Sequence, residues 1–196
     1  MTALSPCGEI VRKGDPVRFR TALFAPPSRR EGLFALYAFN LEIAKVAPMV
    51  SEPMIGEIRL QWWRDSLDMA FGDGPVRRHE VVAPLAVVIR EAGLPRAPFD
   101  ALIDARACDL DPAFPASPEA LTAYLRETAG SLAALAVRAL GGEADAAARS
   151  AGQGIGTARW LAAINRPDTL AALAGPPASP FRTNLSALWR GIAGRW

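Results

Sequence analysis

The chain has 196 residues, a formal net charge of +2 and 51% hydrophobic residues. That length suits a single domain, residues 1–196, with a sizeable core. The near balance of charge, with no long basic run, gives no case for nucleic acid as a partner.

Taken in order, the elements are helices. Residues 1–16 hold no apolar run of signal-peptide length. Asp15 caps a short helix over 16–24 with Pro16 at its first position. Pro26 and Pro27 break it. Ser28 with Glu31 forms a capping box for the next helix, whose span from Leu33 to Ala47 is apolar except for Tyr37, Asn40, Glu42 and Lys45. A helix apolar on nearly every side belongs in a core. Pro48 stops it, and Pro53 restarts the chain into a helix over 55–69. Ile58, Trp62 and Met69 lie along one stripe of that helix, and the adjacent Trp62 and Trp63 must face different ways, so one of them lines a groove or packs on another element. Further helices follow over 81–92, ended by Gly93 and Pro95, and from Pro98 or Phe99 to Asp109. A proline loop leads to Ser117, which caps a helix over 118–129. Gly130 allows a kink, with continuation to Leu140. Another helix spans 144–165, and an amphipathic one carries Phe181, Leu185, Leu188, Trp189, Ile192 and Trp196 within 181–196, bordered by Arg182, Arg190 and Arg195. That last helix suits either a membrane interface or the domain's own core. Period-two alternation is absent, so the fold class is all-α. Charges interrupt every apolar run before membrane-spanning length, which suits a cytoplasmic chain, at most peripheral on the inner face of a membrane.

The central helices carry a resemblance. RREGLFALYAFNLEIAKV (29–46) followed by GEIRLQWWRDSLD (56–68) resembles the squalene/phytoene synthase family. Within it, the chain is similar to the α-proteobacterial branch related to the mitochondrial assembly factor of respiratory complex I. The likeness runs from about Phe19 to Ile164, with a shorter echo at the C-terminus. It implies the helical isoprenoid synthase fold, here shortened towards the C-terminal end.

The family's active members join two prenyl diphosphates head to head. Mg²⁺ held by carboxylates on facing helices neutralises the departing diphosphate, because a hard cation takes oxygen ligands. After LYAF the family carries an arginine and then two aspartates four apart. Here those positions are Leu41, Ala44 and Pro48. The second family motif maps onto Gly156 to Pro167. Gly156, Ala158, Leu161 and Arg166 match, while Trp160 replaces a glutamine, Ala163 an asparagine and Pro167 an aspartate. Asp168 is close but follows that proline. Tyr124, Ala129 and Gly130 keep the family's Y-x-x-x-x-A-G spacing, with Tyr124 suited to lining a cavity. The resemblance therefore implies a catalytically degenerate protein with no resident cofactor, whose partner is a complex I subunit or assembly intermediate, with prenyl lipid or a membrane surface as further contacts. A binding groove is expected from Tyr37, Asn40, Glu42, Arg59, Gln61, Trp62, Trp63 and Tyr124. The alternative is an active synthase using Mg²⁺ on replacement ligands such as Glu42 and Asp104.

Other candidates are weaker. Cys7 and Cys108 have neither metal nor redox spacing, and point to a reducing compartment. Asp104, Asp109 and Asp111 read as a solvated helix end rather than a rescued metal site. His79, in VRRHE, reads as a surface residue. Gly152, Gly154 and Gly156 lack a preceding strand and read as small residues at a helix contact, not a nucleotide loop.

Overall fold

Helices make up every regular element in this computed structural model, which describes residues 4–143 and 146–164. They run α1 (Pro6–Gly14), α2 (Pro16–Ala22), α3 (Pro27–Ala44), α4 (Pro53–Phe71), α5 (Val82–Glu91), α6 (Ala97–Ala107), α7 (Pro118–Leu125), α8 (Ser131–Ala139) and α9 (Ala146–Ile164). Short 3₁₀ turns at Ala47–Met49 and Cys108–Leu110 extend α3 and α6, and a π-helical turn at Arg126–Gly130 joins α7 to α8 where the kink is expected. The chain is all-α over these residues. The amphipathic stretch 181–196, the preceding connection and Pro167 lie outside them.

Local chemistry sets the boundaries. The sequence reading assigns no helix to residues 6–14, yet α1 forms there. Ser5 Oγ accepts the Gly8 N–H at 3.1 Å and Pro6 opens the first turn, as in a good N-terminus. Its Cys7 and Val11 are buried, and α1 packs on α3. The expected Ser28–Glu31 capping box is not made. Pro26 is the N-cap of α3 and makes no side-chain cap bond. Pro27, with its fixed φ, starts the helix one residue before Ser28, which is left inside the first turn. At the other end α3 stops at Ala44 rather than Ala47. The ring of Pro48 would clash with the carbonyl four residues back, at Ala44, so the chain tightens into the 3₁₀ turn. Asp15 and Ser117 cap as expected, accepting from Arg18 N at 2.9 Å and Ala120 N at 3.1 Å.

α3 is the axis of the core. Leu33, Phe34, Leu36, Phe39, Leu41 and Ile43 are all buried, and the helix packs against α1, α2, α5, α6 and α8. Phe39 meets Trp63 and Phe99 edge-on at 5.4 and 5.6 Å, and Phe19 stacks on Phe34 at 5.4 Å. The inward stripe of α4 differs from the expected one. Gly56, Leu60, Trp63, Leu67 and Ala70 are buried, whereas Ile58 is 63% exposed and Trp62 and Met69 are half-buried. The spacing of four, three, four and three follows one helical face that runs through small residues, and these carry no hydropathy signal.

Two of the three glycines of α9, Gly152 and Gly156, mark a helix contact. A Cβ on Gly152 would lie 2.5 Å from the Ala129 carbonyl oxygen and 2.5 Å from Ala133 Cβ, and one on Gly156 would lie 2.6 Å from Ala129 Cβ. α9 thus approaches the π turn and α8 backbone to backbone. Gly152→Ala, which in an open helix would gain about 1 kcal/mol, is expected to cost about 1–3 kcal/mol by forcing these helices apart. Urea unfolding checks the sign. Gly154→Ala, with open space around its Cβ, is the stabilising control.

Candidate functional site

Two recesses flank α3. The larger is a cavity of about 470 Å³ between α2, α3, α8 and α9. Most of its wall is apolar, including Val17, Leu132, Ala133, Ile155, Ala162 and Ala163. Polar groups gather at one place. Asp15, fully buried, accepts from Arg18 Nη1 at 2.7 Å and from Arg159 Nη1 at 2.8 Å, so one carboxylate ties α2 to α9. Burial works against its charge, but the bonds and charges of Arg159 and Arg18 outweigh this and hold the carboxyl below its usual range. The Arg18 guanidinium also lies 5.7 Å from the Tyr37 ring, and burial raises the Tyr37 phenol above its ordinary value. Among the described residues, one carboxylate thus gathers two guanidinium groups beside an apolar wall. That chemistry suits an amphiphile with an anionic end. Sequence reasoning took Asp15 only as a cap. Arg18 and Arg159 carried no signal, because nothing in the sequence brings Asp15 and Arg159 together.

The smaller recess, about 280 Å³, is lined by Glu42, Val46, Met49, Arg59, Trp62, Trp63 and His79. Trp63 points into the core against Phe39, and Trp62 stands against it at 5.0 Å with the rings nearly perpendicular. His79 is not a surface residue. It is half-buried against both tryptophans, at 5.2 and 5.6 Å, and its Nδ1 accepts the Val81 N–H at 3.1 Å. Arg77 covers the other side of Trp62 at 5.0 Å. Glu42 accepts from Lys45 at 2.5 Å on the rim.

A third polar cluster is buried under the proline loop. Arg106 Nη1 donates to Asp109 Oδ2 at 3.2 Å and to Tyr124 Oη, whose O–H donates to the same carboxylate oxygen at 3.1 Å. Asp104 and Asp111 are exposed, as a solvated helix end would have them, and Asp109 departs from that reading. Asp109 is buried and pairs with Arg106, Asp104 bonds Arg64 at 2.8 Å, and Asp111 accepts the Ala113 N–H at 2.9 Å. Burial pushes the Asp109 carboxyl up despite Arg106 and Tyr124, and pushes the Tyr124 phenol up too.

The expected groove residues thus fall in separate places. Glu42, Arg59, Trp62 and Trp63 meet at the smaller recess, and Tyr37 faces the larger one. Tyr124 is held in the buried cluster and lines neither. Asn40 is buried on α3. Gln61 is exposed and bonds Asp65 at 2.8 Å. Cys7 is no nucleophile. Burial, followed by the charges of Glu31, Glu80 and Glu42, pushes its thiol up to about 12.

With this geometry in hand, comparison with known proteins is informative. The squalene/phytoene synthase family model matches residues 11–166. The chain belongs to the squalene/phytoene synthase family. It is also similar to curated proteins named NADH dehydrogenase (ubiquinone) complex I, assembly factor 6. The Bos taurus protein is 34% identical over 136 residues, 69% of this chain and 40% of that protein. The Homo sapiens protein is 32% identical over the same coverage. The Drosophila melanogaster homolog is 30% identical over 180 residues, 89% of this chain and 53% of its own length. The chain therefore spans 40% of the bovine and human relatives it matches. No solved structure matches.

Within a squalene/phytoene synthase scaffold, Mg²⁺ at the first motif would need oxygens at positions 44 and 48. Ala44 is buried and Pro48 is exposed in the 3₁₀ turn, and neither has a side-chain oxygen to give. Leu41, where the family's arginine stands, is buried hydrocarbon. Of the proposed replacement ligands, Glu42 is engaged by Lys45, and Asp104, on α6, by Arg64. The described residues do not fit the ion.

Proposed function

We propose that this chain is a catalytically degenerate squalene/phytoene synthase-like protein that assists the assembly of respiratory complex I by binding a subunit or assembly intermediate. The observation that carries the reading is the first motif. Hydrocarbon side chains at Leu41, Ala44 and Pro48 stand where diphosphate would be gripped and its charge neutralised, while the scaffold around them is kept. The names of the relatives supply the direction of the reading. The partner's place, in this reading, is the recess beside Trp62. Around it Met49, Met54 and Ile58 are each more than 60% exposed, and Arg59 and Glu42 offer polar contacts at the rim. An exposed apolar group with a half-buried tryptophan and a charged margin is the usual composition of a protein interface.

A strain lacking this chain is expected to lose NADH dehydrogenase activity and the assembled complex. The wild-type chain should restore both. Trp62→Ala with Ile58→Ser should fail to do so while the purified variant keeps its helical circular dichroism. Full rescue by the double variant would move the interface elsewhere. Normal complex I in the deletion strain would sink the assembly role. A second reading, lipid binding without chemistry, is favoured by the apolar cavity beside Arg18 and Tyr37.

A further inference from the structure

The turn between α2 and α3 places an aromatic ring in water. Phe24 is 91% exposed and Leu23 is 42% exposed. The turn is held in shape: Phe24 N–H donates to Thr21 O at 3.2 Å, Ala25 N–H to Ala22 O at 3.1 Å, and Arg30 Nε to Ala25 O at 2.9 Å. A second turn lies alongside it. Gly141, at φ +89°, closes α8 with its Cβ position 4.0 Å from Arg29 Nη2, which brings the exposed Leu140 and Arg138 to the same end of the molecule. Arg20, Arg29 and Arg138 are exposed there, and none of them makes an ion pair among the described residues. Elsewhere Arg12, Arg64, Arg77, Arg96 and Arg126 are paired with carboxylates, while Arg59, Arg78 and Arg90 are exposed without an ion pair among the described residues but lie away from an exposed aromatic ring. The acidic residues nearby in sequence are Glu31, Glu143 and Asp145.

We propose that the turn between α2 and α3, Leu23 and Phe24 flanked by Arg20 and Arg29, docks on the surface of an anionic lipid bilayer, with the α8 turn that carries Leu140 and Arg138 adjoining it at Arg29. The aromatic and aliphatic side chains enter the interface, and the guanidinium groups bond lipid phosphates in forked pairs. Basic residues held near an acidic leaflet each strengthen binding, and salt screens the effect. A protein partner is the poorer fit. The Phe24 ring and the aliphatic tips stand out from turns and form no wall of either recess, whereas a protein hot spot is a pocket or a ring seated in one. The inference does not depend on the assembly role. No helix among the described residues is long and apolar enough to cross a membrane, so contact here is at the surface.

The test is sedimentation of the 196-residue chain with vesicles of phosphatidylcholine alone, and with phosphatidylglycerol and cardiolipin added. Binding is expected only to the anionic vesicles and is expected to fall as salt rises. Phe24→Ser and the double charge reversal Arg20→Glu/Arg29→Glu are each expected to lower the partition coefficient roughly tenfold or more. Phe24 buries almost nothing in the folded chain, so its variant should keep the wild-type Tm. Equal binding to neutral vesicles would overturn the proposal. So would wild-type affinity in both variants, which would assign the contact to residues 181–196 or to a protein partner.

Discussion

Replacing Asp109 with alanine is expected to cost the folded state about 3–5 kcal/mol, because it leaves a buried guanidinium without its counter-ion. Arg106 is 6% exposed, and its Nε already finds no partner among the described residues. Its charge is supported by one carboxylate and one phenol. Losing the carboxylate removes the ion pair and also leaves the Tyr124 O–H without its acceptor, though its oxygen still accepts from Arg106. Tyr124→Phe, which leaves the ion pair in place, should cost only about 1–2 kcal/mol. If Arg106 and Asp109 act as a unit, the double variant Arg106→Leu/Asp109→Ala will be more stable than Asp109→Ala alone. Urea denaturation of the three variants reads this out. A cost below 1 kcal/mol for Asp109→Ala would mean that water reaches Arg106. The cluster also places Tyr124: in the folded chain it is a buried member of a polar knot under the proline loop and lines neither of the two recesses described.

Asp15→Ala should be nearly as damaging, for a different reason. The carboxylate caps α2, and it joins Arg18 and Arg159 from helices that face each other across the larger cavity. Removing it takes away the cap of α2, the close Arg18 pair and the tie to α9 together, and a cost of about 3–5 kcal/mol is expected. Asn at this position still caps and still accepts a hydrogen bond, so Asp15→Asn should cost about 2 kcal/mol. The pH dependence separates charge from cap. The Asp15 carboxyl is held below its ordinary value, so its contribution is complete above about pH 4 and is lost as pH falls through the lowered value. Acid unfolding of wild type should therefore be steeper below pH 4 than that of Asp15→Asn. Parallel curves would show that Asp15 works as a cap and not as an anion.

Much of the fold was legible in the sequence because its signals are local. Asp15 and Ser117 announced their helices, Pro48 and Pro53 bracketed the break after α3, and the unbroken apolar run in α3 marked the core axis. The errors have local causes too. The helix at 6–14 has its start signals in Ser5 and Pro6, but its short, mostly polar run carries no apolar stripe long enough to announce it. The inward face of α4 passes through Gly56, Ser66 and Ala70, while its bulkier Met54, Ile55 and Ile58 point to solvent, so hydropathy chose the wrong stripe. The site was less legible than the fold. Residues that form one motif along the chain, such as Gln61, Trp62 and Trp63, project around a helix onto different faces. Asp15 and Arg159 meet only because α9 folds back onto the first helices, and no short-range pattern encodes that meeting.

The central claim is that the scaffold is kept without its diphosphate chemistry. It is tested most directly by diphosphate release from farnesyl and geranylgeranyl diphosphate by the purified protein, with and without Mg²⁺. The account predicts release no faster than in buffer under either condition, from a protein whose circular dichroism is fully helical. Release that depends on Mg²⁺ and on enzyme concentration would contradict it, and would mean that ligands other than positions 44 and 48 hold the ion.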